Sequence, residues 1–205
     1  MSEREGVVRH DAHHETAVLP AAWAPLAAEL AAWRRRLVER GWLGRDPQRY
    51  GGYGFGNLSA RLPADAGSST GFLITGSQTG GRRDLPLAGF AWVERWSVAG
   101  NALWSRGEVT ASSESLTHAA LYDAAPEAGA VFHVHAPELW HRRGEMDLSE
   151  TAATVGYGTP EMAAEVARIA TATPAGALAM PGHEDGLIAW GRSADEAGEL
   201  LTALG

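Results

Sequence analysis

The chain has 205 residues, 45% hydrophobic and 20% charged, with a formal net charge of −8, which suits one soluble globular domain with a sizeable core. The acidic balance argues against a nucleic-acid partner, because neutralising phosphates requires a basic face. The chain has no cysteine, and all 17 of its Lys+Arg residues are arginine, which excludes disulfides, thiolate catalysis and lysine Schiff-base chemistry.

Residues 1–19 read as a polar lead-in, and residues 20–205 are expected to form the folded domain. The N-terminus is acidic and unlike a signal peptide, and no stretch approaches the ~20 apolar residues of a membrane span. We therefore expect a cytoplasmic protein without a membrane partner. His10, His13 and His14 could form a metal cluster, but their terminal segment lacks a regular period and favours surface positions.

Residues 21–40 carry the first strong helical pattern. Apolar side chains recur there at steps of three and four residues: Trp23, Leu26, Leu30, Trp33 and Leu37. The basic run of residues 34–36 lies inside this pattern and is expected on the solvated helix face. Gly41 follows where a helix usually ends.

The middle of the chain predicts a sheet. A glycine-rich loop at residues 51–56 is either an ordinary turn or a place where backbone amides approach an anion. Four short apolar runs then predict strands with antiparallel pairing, because their connections are short; they are residues 72–74, 91–93, 96–98 and 102–104.

The C-terminal half alternates between helices and strands. A helix begins near Ser112 or Ser113, either of which can cap it, and Pro126 ends it. The further predictions are strands at residues 130–135, 177–180 and 187–190 and helices at 159–173 and 193–204, with Ser193 as a cap. The expected fold is a single α/β domain with a central, mostly antiparallel sheet flanked by helices in three layers.

The strand at residues 130–135 carries the strongest functional signal. Side chains two apart in a strand share a face, so His133 and His135 project together about 7 Å apart at the backbone. Ala130, Phe132 and Val134 point the other way, as a core-facing side should. Two imidazoles at this spacing can hold one metal ion.

Three other polar residues each have more than one possible role. Glu114 lies at a helix start, where it can bind a cation or cap the helix. His118 stands one turn later, either reaching the same site or lying on a helix flank. His183, in the turn between two apolar strands, is a plausible third ligand.

Seven segments, read in order, resemble the class II aldolase/adducin family, which includes fuculose-phosphate aldolase and ribulose-phosphate 4-epimerase. They are Gly56-Asn57-Leu58-Ser59, Ile74-Thr75-Gly76-Ser77, Ser112-Ser113-Glu114, residues 118–122, residues 131–135, Tyr157-Gly158-Thr159 and residues 186–189. The resemblance runs from about Leu26 to the C-terminus. It is specific because the Ser-Ser-Glu motif, the His-X-His motif and their separation agree at once.

This resemblance implies a divalent-metal site in a sheet flanked by helices, within a homotetramer whose active sites lie at subunit interfaces. His133, His135 and His183 would bind Zn²⁺ or another divalent cation such as Mn²⁺, Co²⁺ or Fe²⁺. Glu114 would contact the metal in the empty site and act as the base when substrate arrives. The pocket for a substrate phosphate would be lined by Asn57, Ser77, Ser112 and Ser113.

The chain departs from the family pattern at three places. Gln78 stands where the family has a glycine, and its side chain would crowd backbone amides that an anion approaches. Two residues separate His183 from the next glycine, so either this turn is longer or Asp185 takes the ligand position. The tyrosine that some family aldolases use as a proton donor would fall near Thr154, and its role does not carry over to Tyr157.

The resemblance implies a lyase of carbohydrate metabolism: an aldolase that cleaves a small hydroxycarbonyl or sugar-phosphate substrate through a metal-stabilised enediolate. Two alternatives stay open. One is a dehydratase or epimerase on the same scaffold. The other is a non-catalytic, adducin-like interaction module.

Overall fold

The periodic segments of the sequence form five α-helices and eleven β-strands in a computed structural model that describes residues 7–63, 71–171 and 173–205. The helices are Ala24–Glu39 (α1), Ser115–Ala124 (α2), Pro137–His141 (α3), Pro160–Ala170 (α4) and Ala194–Thr202 (α5). The strands are Asp11–Thr16 (β1), Gly44–Arg45 (β2), Gly54–Phe55 (β3), Asn57–Arg61 (β4), Phe72–Thr75 (β5), Phe90–Ser97 (β6), Ala102–Gly107 (β7), Ala130–His135 (β8), Ser149–Glu150 (β9), Gly176–Ala179 (β10) and Gly186–Gly191 (β11).

Within the described residues, nine strands form one sheet in the order β1-β7-β6-β5-β4-β8-β11-β10-β9. Only the outermost pairs, β1 with β7 and β10 with β9, are parallel. The pairs between them are antiparallel, which confirms the predicted mostly antiparallel sheet. β2 and β3 pair separately, directly before β4.

Alternating apolar side chains give the sheet two buried faces, and helices cover both. Phe132 and Val134 of β8 lie in the core formed with α1 and α5, whereas Val131 lies in the core formed with α2 and α4. The predicted three-layer arrangement is therefore confirmed. Since Val131, His133 and His135 share one side of β8, the two histidines lie on the α2 side of the sheet.

The first helix has the predicted apolar stripe. Its basic run, residues 34–36, was predicted to face solvent, and this is wrong for Arg34. Leu30 and Leu37 are fully buried, and Gly41 takes a left-handed φ of 72° just past the helix. Arg34, expected in solvent, is only 1% exposed. Its guanidinium donates to the carbonyls of Thr79, Gly80 and Arg83, and these acceptors keep the buried cation hydrogen-bonded.

The lead-in contributes an edge strand that the sequence did not reveal. β1 pairs in parallel with β7, where His14 bonds Ser105 at 3.0 Å and His13 stacks on Trp104 at 4.8 Å. His10 is 8% exposed, so its expected surface position is wrong. Residues 1–6 of the lead-in lie outside the described residues.

Two predicted strands are one continuous element. The sequence suggested separate strands at residues 91–93 and 96–98, but β6 runs through both, with a register shift between Val93 and Arg95. A bulge of this kind keeps the strand paired while changing which side chains face the core. Among the described residues, no helix combines the length and apolar character needed to cross a membrane.

Candidate metal centre and adjoining cleft

The middle of the sheet brings three histidines together. His133 and His135 of β8 face the α2 side with their ring centroids 5.0 Å apart. The turn between β10 and β11 places the His183 ring 5.0 Å from His133 and 4.7 Å from His135. One ligand atom from each histidine lies within 4.8 Å of the others, and all three residues are buried. Such a donor set suits a zinc-type ion and leaves a coordination position open.

Glu114 faces this group. It occupies the position before α2, but its side chain makes no capping hydrogen bond. Its Oε2 lies 2.9 Å from His133 Nε2, and its Oε1 lies 3.4 Å from His183 Nδ1. Asn57 Nδ2 donates to Oε2 at 2.9 Å. The Glu114 side chain therefore does not cap the helix. Of the two predicted caps, Ser112 lies three residues before the first helical residue, and its Oγ accepts a hydrogen bond from Glu114 N at 3.4 Å.

The electrostatics of the group favour an ionised carboxylate at Glu114 and a neutral imidazole at His135. Burial by itself would raise the pKa of Glu114, but the His133 and His183 imidazoles outweigh it and hold that pKa well below its usual range. Burial, followed by the charges of His183 and His133, lowers the pKa of His135. A neutral imidazole is the form that binds a metal ion.

A polar cleft adjoins Glu114. The Gly76–Ala111 bridge and the hydrogen bond from Ser77 N to Thr110 O, 2.8 Å long, place two loop segments side by side. The cleft between them opens to solvent, and its empty space together with that open solvent is about 380 Å³. The residues expected to bind substrate all line it: Asn57, Ser77, Ser112 and Ser113. Gln78 lines it as well, at a left-handed φ of 57°.

His118 does not join the metal group. Its Nδ1 bonds Ser59 Oγ at 2.7 Å, and the same hydroxyl contacts Tyr122 Oη at 2.9 Å. Burial lowers the pKa of His118 to about 3, so the ring is neutral near pH 7. It is a core histidine bonded through Nδ1 and lies outside the three-histidine group.

His183 and Asp185, the two candidates for the third metal ligand, have different surroundings. His183 lies in the three-histidine group, whereas Asp185 Oδ2 accepts a hydrogen bond from the Tyr50 hydroxyl at 2.6 Å. The N-terminal histidines form no comparable group within the described part of the chain.

Two aromatic rings pack on the histidines, and neither was assigned a role from the sequence. The Tyr50 ring lies edge-on to His135 at 4.6 Å, and Tyr157 stacks on His183 at 4.5 Å. Burial, then the bond to Asp185, raises the pKa of Tyr50, so its phenol is protonated and donates. The only sequence signal for Tyr50 is its place beside a glycine run, which many ordinary turns share.

Comparisons with known proteins agree with this architecture. Residues 28–204 match the family model described as Class II Aldolase and Adducin N-terminal domain. No curated protein matches the chain.

Three solved structures show the same fold. The l-fuculose-1-phosphate aldolase from Thermus thermophilus has a TM-score of 0.60 at 21% identity, over 88% of this chain and 89% of that one. The sugar-phosphate aldolase from Thermotoga maritima has a TM-score of 0.67 at 16% identity, over 90% and 92%. YgbL from Escherichia coli, named as a candidate aldolase, epimerase or decarboxylase, has a TM-score of 0.65 at 20% identity, over 89% and 86%.

Proposed function

Since the chain belongs to the class II aldolase and adducin N-terminal domain family, we propose that it is a metal-dependent aldolase. It cleaves a carbon–carbon bond in a small hydroxycarbonyl compound, with sugar phosphates as the first candidates. One observation carries the proposal: the Glu114 carboxylate faces three clustered imidazoles at the end of a polar cleft.

His133, His135 and His183 hold the metal in this proposal. Zn²⁺ suits three imidazoles with one position left open, and Mn²⁺, Co²⁺ or Fe²⁺ are alternatives that also bind imidazole. A bound divalent ion supplies Lewis-acid polarisation of the substrate carbonyl. Asp185 is left out of the ligand set, because its Oδ2 accepts a hydrogen bond from the Tyr50 hydroxyl.

In this proposal, Glu114 is the base that takes a proton from the substrate. As an ionised, buried carboxylate beside the cleft, it can take a proton from the substrate hydroxyl or from the carbon next to the carbonyl. The hydrogen bond from Asn57 to Oε2 orients the carboxylate, and leaves Oε1 directed toward His183. Asn57 therefore serves both as a cleft residue and as the partner that orients the base.

The cleft holds the rest of the substrate. Ser77, Ser112 and Ser113 offer hydroxyls, which bind a phosphate or sugar hydroxyls. No cationic side chain lines this cleft among the described residues. Recognition of an anion therefore falls to neutral donors, and Gln78 adds its bulk at the rim.

A dehydratase or epimerase is the second candidate, because both need the same metal, carboxylate and cleft. YgbL, a protein of the same fold, is itself named as a candidate aldolase, epimerase or decarboxylase. A non-catalytic, adducin-like module is disfavoured. Burying a carboxylate beside three imidazoles costs stability unless the charges are compensated, and a pure interaction domain gains nothing from that arrangement.

We also propose a cytoplasmic homotetramer that binds a small molecule rather than nucleic acid or membrane. The family resemblance supports the tetramer, and the acidic composition supports the absence of nucleic acid. Light scattering of the purified protein tests the assembly: a mass of four chains is expected, and a monomer would contradict it.

A substrate screen that follows aldehyde release and water loss in parallel tests the function. Chelation should abolish aldehyde release and a returned divalent ion should restore it. Glu114→Gln should retain the ion and lose proton exchange on a ketose, while Glu108→Gln, on an exposed side chain nearby, should behave as the wild type. Full activity in the metal-free protein, or exchange retained by Glu114→Gln, would refute the mechanism.

A further inference from the structure

Tyr50 is held in an unfavourable backbone conformation. Its φ is 49°, and Gly51 and Gly52 follow with φ of 66° and 77°. Glycine adopts this region freely, but a bulky aromatic residue there is a rare outlier. Conformations of this kind persist only where surrounding contacts enforce them, and they cluster at functional sites.

The contacts that enforce this conformation lead to the metal centre. The Tyr50 hydroxyl donates to Asp185 Oδ2 at 2.6 Å and accepts from Arg49 Nη2 at 2.7 Å. Asp185 lies in the turn that carries His183, is 7% exposed and has a φ of 63°. One phenol therefore joins two strained segments that are 135 residues apart in the chain.

The same two segments form hydrogen bonds with the C-terminal end of β8. Arg49 Nη2 also donates to the carbonyl of His135 at 3.4 Å, while Ala136 N donates to the carbonyl of Asp185 at 2.9 Å. The Tyr50 ring packs edge-on against the His135 ring. His135 is thus held by the Tyr50 segment, and its chain neighbour is held by the His183 turn.

We propose that Tyr50 is a positioning residue for the metal centre, whose hydroxyl ties the His183 turn to the end of β8 and so sets His183 relative to His135. The inference rests on the proposed metal-binding function. Asp185, the competing ligand in the sequence, acts here as the anchor of this tie. Without the hydroxyl, the turn that carries His183 keeps its backbone bonds to β8 and the ion pair between Arg49 Nη2 and Asp185 Oδ2 at 4.0 Å, but it loses the hydrogen bond from Tyr50 that fixes its angle.

Removing only the hydroxyl isolates this role. Tyr50→Phe keeps the ring against His135 and Phe55 and deletes one hydrogen-bonding oxygen. Residues that orient metal ligands typically change metal affinity by about 10–100-fold when they are replaced. Tyr53→Phe is the matched control, because Tyr53 is 39% exposed in the same segment.

Titration with Co²⁺, followed by its visible absorption, measures the affinity and reports the coordination geometry. Tyr50→Phe should bind Co²⁺ about 10–100-fold more weakly than the wild type, with an altered spectrum, while Tyr53→Phe should match the wild type. In an Asp185→Gly background, which tolerates the positive φ, Tyr50→Phe should change the affinity by less than about twofold, because its partner is already gone.

Two results would overturn the inference while leaving the proposed function intact. One is a Tyr50→Phe protein whose affinity and spectrum equal those of Tyr53→Phe. The other is the same loss of affinity in both backgrounds, since the hydroxyl would then act independently of Asp185. A wild-type protein that bound no divalent ion would refute the metal assignment itself, and the positioning role with it.

Discussion

Gly80→Ala should displace the wall of the cleft, because Gly80 packs directly on the backbone of the β2–β3 pair. A Cβ at residue 80 would lie 2.2 Å from Gly44 O and 2.9 Å from Gly54 Cα. The first distance is more than 1 Å short of ordinary contact, which begins near 3.4 Å. Both obstacles are backbone atoms, so no side-chain rotation can relieve the overlap.

The expected cost follows from this overlap. Forcing one carbon into a packed site typically costs about 1–3 kcal/mol, and each kcal/mol lowers Tm by about 2–4 °C for a chain of this size. Since Gly54 and Gly80 both line the cleft, the shift should also raise KM more than it lowers kcat. Urea unfolding measures the first effect, and steady-state kinetics on the substrate found by screening measures the second.

Gly81→Ala is the control for this substitution. Its Cβ would meet only the Arg45 side chain, at 3.4 Å, so its free energy of unfolding should stay within about 0.5 kcal/mol of the wild type. If Gly80→Ala and Gly81→Ala were equally stable, the packing of the cleft loop on β2 and β3 would be wrong.

Three further outcomes concern stability. Ser59→Ala should cost about 1–3 kcal/mol in urea unfolding, because it leaves His118 and the Tyr122 hydroxyl buried without their shared partner; a neutral effect would contradict that network. With the pKa of His118 lowered from 6.5 to about 3, the unfolded chain binds a proton in this window that the folded chain does not. The free energy of unfolding should therefore fall as pH drops from 6.5 toward 3, by at most about 5 kcal/mol, and His118→Gln should flatten that slope; an unchanged slope would refute the assignment. Ser193→Ala should cost about 0.5–2 kcal/mol, since the Ser193 hydroxyl accepts from Glu196 N at 3.1 Å, and Thr202→Ala, at the other end of α5, should cost less.

The sequence predicted the elements whose signals are local. The stripe of α1, the alternation of β8 and the Ser193 cap each depend on residues a few positions apart, and each is present in the structure. β1 escaped prediction because a short polar edge strand has no apolar period, and its pairing with β7 is a long-range contact. The burial of Arg34 was not predicted for a related reason: the carbonyls that accept its hydrogen bonds lie 45 to 49 residues away in the chain.

The site was predictable to a similar extent. The two-residue step from His133 to His135 indicates a shared face in any strand, whereas the approach of His183 depends on the path of a turn. Glu114 illustrates a local pattern with two interpretations, since its position suits both a helix cap and a metal-facing base. The register of β4 with β8 sets Asn57 opposite His133 and brings a donor to the Glu114 carboxylate, a contact that no local pattern reveals.

We propose that three histidines form one metal centre beside Glu114. Anomalous diffraction at the zinc edge, from crystals grown with Zn²⁺, tests it most directly. We predict one strong peak at about 2.0–2.1 Å from a nitrogen of each of His133, His135 and His183. A peak bound by Asp185 instead of His183, or no peak among these histidines, would contradict the account.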